Sequence, residues 1–135
     1  MPAEANLTRL IESMQPVLAD GEFVFATSND PVDLGGIRPQ MQFHEAEGVT
    51  YILRMEDAKR LGLRYEFPCK MISLNVHSAL DAVGFLAAIT KALAAKGMGV
   101  NPVSGFFHDH LFVPEGREED AMSTLHALSQ AQKQS

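Results

Sequence analysis

A chain of 135 residues has room for one ordinary domain or for two very small ones that share a core. Hydrophobic residues make up 46% and charged ones 21%, a globular balance that excludes wholesale disorder. The net charge of −6, with basic residues scattered apart from short groups such as Lys59-Arg60, speaks against nucleic acid, because neutralising phosphates needs clustered Lys and Arg.

The opening "MPAEANLTRLIESM" carries charges at once and lacks a continuous apolar core, so no signal peptide is expected. Asn6 is placed to cap a short helix over "LTRLIESM", where Leu7, Leu10, Ile11 and Met14 fall at helical spacing and Pro16 ends the run. "GEFVFAT" reads as a strand, being rich in aromatic and β-branched residues. "NDPVDLGGIRP" is loop, punctuated by Pro and Gly-Gly. "MQFHEAEGVTYILRM" reads as two strands joined at Glu45-Ala46-Glu47-Gly48, and "EDAKRLGL" as a short helix. "YEFPCKMISLNVH" is extended. Its Cys69, the single cysteine, excludes an internal disulfide and fits a reducing compartment. Between a proline and an apolar strand it reads as a small buried hydrophobe rather than a nucleophile.

In "MISLNVH", Ile72, Leu74 and Val76 alternate with Ser73, Asn75 and His77, which predicts a strand with one buried face. "DAVGFLAAITKALAAKG" follows as a helix with an apolar stripe of Leu86, Ile89 and Leu93, closed by Gly97. "MGVNPVSG" and "HDHLFVP" are two more strands, joined through Phe106-Phe107. "GREEDAMSTLHALSQ" is a last helix with acids in its first turn, and "AQKQS" a frayed tail. The apolar run "AVGFLAAI" is too short to span a bilayer, so the chain reads as soluble and cytoplasmic with no membrane partner.

The second half therefore runs β-α-β-β-α, most of a ferredoxin-like unit, and the first half keeps that order with its first helix reduced to a loop. This predicts an α+β fold of two βαββαβ units packed together, over residues 1–68 with the leading helix and residues 69–135. The second unit lacks a final strand, for which "PVLADGEFVFAT" is a candidate donor.

"DAVGFLAAITKALAAKGMGVN" resembles the signature of ACT domains: Asp-x-Pro-Gly-x-Leu-x-x-Ile, then a helix ending in Gly, then a strand. Asp81, Gly84, Leu86, Ile89, Leu93, Gly97 and Val100 fall on those positions, and Val83 replaces the usual proline. With "NVHSALDAVG" and "GFFHDHLFVP", the chain resembles small bacterial proteins of paired ACT-like units, similar to the ACT pair at the regulatory end of aspartate kinases. The resemblance implies an effector-binding module, with a free amino acid held beside the first helix and against a neighbouring unit's strand.

A helix start is a ready carboxylate site, since its amides lack acceptors and its dipole is positive. The expected ligand-binding residues are His77, Ser78, Asp81, Ala82, Val83, Gly84 and Phe85, with Asn101 and His110 from the adjoining strands. Gly84 would let a ligand approach the backbone, and Asp81 would either cap the helix or hold an ammonium group. His77 and His110 are expected to be neighbours on one sheet face, along with Phe112, Asn75 and Asn101, and to make affinity change between about pH 5.5 and 7.5. Gly84→Val is expected to block the site with modest loss of stability.

Two other readings remain open at this point. His77, His108 and His110 would supply three imidazoles to a metal-dependent enzyme, although Asp109 is expected to point the other way. Ser78, His77 and Asp109 offer the residue types of a triad, but adjacent strand residues face opposite sides. His44 and His126 read as exposed polar residues, and the seven methionines as core filler. A pure interaction module is the third reading, with Phe106, Phe107 and Phe112 as its partner surface. The leading expectation is a non-catalytic amino acid or carboxylate sensor with no cofactor and no metal, assembled as a homodimer.

Overall fold

Residues 3–134 are described by a computed structural model, and they fall into two compact units. Among the described residues, one comprises residues 21–69 and the other residues 3–20 and 70–134.

In the unit of residues 21–69, strands β2 (Phe23–Ser28), β3 (Met41–His44) and β4 (Val49–Arg54) are followed by helix α2 (Met55–Arg60) and the first half of β5 (Arg64–Leu74). The order across the sheet is β3-β4-β2-β5, with antiparallel neighbours. As expected, a loop stands where a first helix would lie. Its Val32, Leu34 and Ile37 pack on a core of Val24, Ala26, Tyr51, Leu53 and Ala58. The Tyr51 hydroxyl accepts from the Val32 N–H at 3.1 Å, which satisfies a loop amide over a buried face. Three apolar loop residues thus do the covering that a helical stripe does elsewhere.

Strand β5 carries a β-bulge: Phe23 pairs with Cys69 but Phe25 with Glu66, and Phe67 takes a positive φ of 61°. The Cys69 side chain is fully buried, donates to the Phe23 carbonyl, and its thiol is pushed up to about 12 by burial. It is a protonated packing residue, as expected.

The other unit begins with helix α1 (Leu7–Ser13) and strand β1 (Pro16–Leu18). Asn6 caps α1 by accepting from the Arg9 N–H at 3.0 Å. After β5 come α3 (Phe85–Ala94), β6 (Asn101–Ser104), β7 (Asp109–Pro114) and α4 (Glu118–Gln134). Here the order is β6-β7-β5-β1. Strand β1 pairs antiparallel with Leu74, Ser73 and Ile72, so the leading segment supplies the missing strand. Strand β5 therefore ends one unit and begins the other. Leu10, Ile11 and Met14 of α1 join Ile72, Leu74, Ile89, Leu93, Leu111 and Leu125 in a single core. A fully buried side chain of this size contributes ~1.5–3 kcal/mol.

Several expectations change here. The apolar stripe of the leading helix packs in the core of residues 70–134. Strand β5 stops at Leu74: the Val76 N–H turns back to the Leu74 carbonyl and the Asn75 N–H is taken by Gln15. His77 consequently lies beyond the strand, and alternation does not set its direction. Helix α3 starts four residues after Asp81. Helix α4 runs on to Gln134 where a frayed tail was expected. Phe112 is only 2% exposed, so it is no surface residue.

Candidate functional site

The two hairpins share one design. Met41 pairs with Ile52 and His44 with Val49; Asn101 pairs with Phe112 and Ser104 with Asp109. Each has four residues between its strands, and the same closing bond, Glu45 N–H to the Gly48 carbonyl and Gly105 N–H to the His108 carbonyl, both 2.8 Å. The differences are then informative. Where β4 begins with buried Val49, β7 begins with Asp109, itself only 6% exposed. A buried carboxylate costs several kcal/mol unless it is bonded, and Asp109 Oδ2 accepts from the buried Ser78 hydroxyl at 3.0 Å.

Beside this pair lies a cavity of about 130 Å³, lined by Ser78, Ala82, Gly84, Phe85, Ser104 and Asp109 among others. At ~30 Å³ per water it has room for about four. Gly84 is the N-cap of α3, with φ 90° and no side chain to cap with. The amides of Phe85, Leu86 and Ala87 have no carbonyl one turn earlier, and these residues line the cavity. One wall thus offers hydrogen-bond donors at the positive end of a helix, and another offers a carboxylate.

Of the expected site residues, Ser78, Ala82, Gly84 and Phe85 line this cavity. Asp81 and Val83 are exposed on the approach to α3, and Asp81 does not cap it. Asn101 is exposed at the far end of the β6–β7 pair from the tip. The His77 ring lies 5.6 Å from that of Phe107, while His110 Nδ1 is 2.8 Å from the Ser73 hydroxyl. The strand ends before His77, so strand alternation does not set where its ring lies. His108 and His110 stand 6.5 Å apart between ring centres, and among the described residues no group of three His, Cys, Asp or Glu is placed to hold a metal ion.

The expected ligand set left out the polar lining residues Asp109 and Ser104, and also Ala79, Leu80, Leu86 and Ala87. A signal existed for Asp109: it is in phase with Leu111 and Val113, and period-two alternation puts all three on the helix-covered face.

Burial lowers the His110 imidazole below its ordinary 6.5; the adjacent His108 adds to this and Asp109 opposes it. Between the folded and unfolded values the unfolded chain binds more protons, so this residue's contribution to stability falls as pH drops through 6.5 and below. Unfolding midpoints in urea at about pH 7.5 and 5.5 should show a smaller acid loss for His110→Gln than for wild type.

With the geometry in place, the comparisons decide the family. Two ACT domain models match, one over residues 2–70 and one over residues 66–127. The chain belongs to the ACT domain family. A protein of unknown function from Vibrio cholerae, VC0802, is 37% identical, with a TM-score of 0.83, covering 92% of this chain and 96% of that one. The ACT pair also shares its fold with Atu0741 from Agrobacterium tumefaciens (16% identity, TM-score 0.67, 86% and 89% covered). The regulatory subunit of aspartate kinase from Thermus thermophilus is similar too (12% identity, TM-score 0.64, 87% and 97% covered). No curated protein matches. ACT domains are generally regulatory ligand-binding domains, and among the described residues no helix is long and apolar enough to cross a membrane.

Proposed function

We propose that this ACT pair is a non-catalytic sensor of a small amino acid or a closely related carboxylate, bound once per chain at the start of α3. The observation that carries this reading is the buried Ser78–Asp109 pair facing an uncapped first helical turn across a small cavity. A zwitterion answers both walls: its carboxylate suits the free amides and helix dipole, and its ammonium suits Asp109. The unit of residues 21–69 has no such helix start, because a loop takes that place. A thermal-shift screen of the twenty amino acids tests the proposal. A ligand at a hundredfold excess over its dissociation constant adds ~2.7 kcal/mol, and no shift with any of them would overturn the free amino acid reading.

Self-association through the β6–β7 hairpin is the second part of this reading. Phe106 and Phe107 are 70% and 61% exposed, with rings 4.9 Å apart. The matching turn in the other unit is built with Ala46 and Glu47, so the turn itself does not require aromatics. Exposed aromatic pairs of this kind suit an interface core. Light scattering at tens of micromolar, ordinary dimer affinity, should give a dimer for wild type and a folded monomer for Phe107→Asp. A monomeric wild type would remove the homodimer from the proposal.

A further inference from the structure

The backbone of the cavity wall from Ser78 to Gly84 lies beyond β5, which ends at Leu74. It is paired instead with the Glu4 segment. The Glu4 N–H donates to the His77 carbonyl at 2.8 Å, and the Ala79 N–H donates to the Glu4 carbonyl, also at 2.8 Å. Glu4 and Ser78 thereby form an isolated parallel β-bridge. The residue gripped between those two bonds is Ser78, whose hydroxyl donates to Asp109. At the other end of the wall, Leu7 Cδ2 lies 3.5 Å from where a Cβ on Gly84 would stand. The strap is itself fixed: the Glu4 carboxylate accepts from the Ala5 and Asn6 N–H groups at 3.0 and 3.2 Å, and Asn6 caps α1.

We propose that Glu4 is a positioning residue, and that the segment from Glu4 to Leu7 is a strap whose docking is linked to occupancy of the cavity. This rests on the amino acid reading for its ligand and on the hydrogen bonds alone for its mechanics. The physical reason is cooperativity through a shared element. A wall that must be ordered for binding is ordered in advance by the strap, and by reciprocity a bound ligand tightens the strap. Two backbone bonds to one residue, with no side-chain chemistry required, also mean that Glu4→Gln keeps the function and Glu4→Pro, lacking the donor, loses it.

The test is amide hydrogen exchange on the full chain, followed by the amino acid screen on the same samples. Glu4→Pro keeps the carbonyl that accepts from Ala79 but loses the N–H bond to His77; the weakened docking should let the Ala79 amide exchange at least about fivefold faster than in wild type, the scale of one net backbone bond. The Ile72 and Leu111 amides should be unchanged, and Glu4→Gln should match wild type throughout. Leu7→Ala, which leaves the backbone bonds intact, should speed exchange at Ala82 near the other end of the wall. Unchanged exchange at Ala79 in Glu4→Pro overturns the strap, and so does equal acceleration at Ile72 and Leu111. If L-amino acids bind wild type and Glu4→Pro equally well, the linkage is overturned even where exchange responds. If no amino acid binds wild type, the sensor reading fails while the exchange results still decide the strap.

Discussion

Replacing Asp109 by asparagine is expected to weaken the proposed amino acid protection of this ACT pair while leaving it folded. Asparagine keeps the size and can still accept from the Ser78 hydroxyl, so the 3.0 Å bond survives in neutral form. What disappears is the negative charge on the wall opposite α3. A hydrogen bond to a charged partner contributes ~1.5–3 kcal/mol, so the dissociation constant should rise about 10- to 100-fold. Titration calorimetry with the amino acid found in the screen measures this directly. Equal affinity in wild type and Asp109→Asn would place the ammonium elsewhere. Acetate or another simple carboxylate should respond to the substitution in the opposite sense, because losing the buried charge removes a repulsion.

Gly84→Val is expected to destabilise the unit of residues 3–20 and 70–134 as well as to block the cavity. Glycine propensities in a helix suggest a mild change, but Gly84 lies at the N-cap with φ 90° and not within the helix. A left-handed conformation costs an L-residue roughly 1–2 kcal/mol, and a β-branched side chain more than most. Leu7 must also give way, since its Cδ2 is 3.5 Å from the first added atom. Urea unfolding should show a loss of at least ~1–2 kcal/mol. A Gly84→Ala variant shares the backbone penalty with little added bulk, so comparing the two separates strain from blockage of the site. Unaltered stability in both would mean that the turn before α3 rearranges freely.

Much of this molecule was legible before any coordinates. Alternation in "MISLNVH" and "HDHLFVP" and the helical stripe of Leu86, Ile89 and Leu93 identified the core of one unit. Pro and Gly-Gly in "NDPVDLGGIRP" marked a loop in place of a helix. Asn6 announced its cap, and the ACT signature announced the family. These are local signals: periodicity, capping and turn chemistry act over a few neighbouring residues, and the sequence displays them directly. The end of β5 was not legible, because Asn75 and Val76 continue the alternation while the Val76 N–H turns back to the Leu74 carbonyl and Glu4 pairs with the segment beyond. The reading that put His77 on the strand therefore fails. Nor did "FVP" reveal that Phe112 is buried, since alternation assigns a residue to a face without saying what covers that face. Asp109 is the most instructive case. Its phase with Leu111 and Val113 is a sequence fact, but the cavity that makes its burial meaningful needs Ser78 and Gly84 together with Ser104, which follows them by 20 residues or more. The local order was therefore written in residue spacing. The candidate site was decided by tertiary structure, because only backbone hydrogen bonds between distant segments bring its donors and its carboxylate to one place.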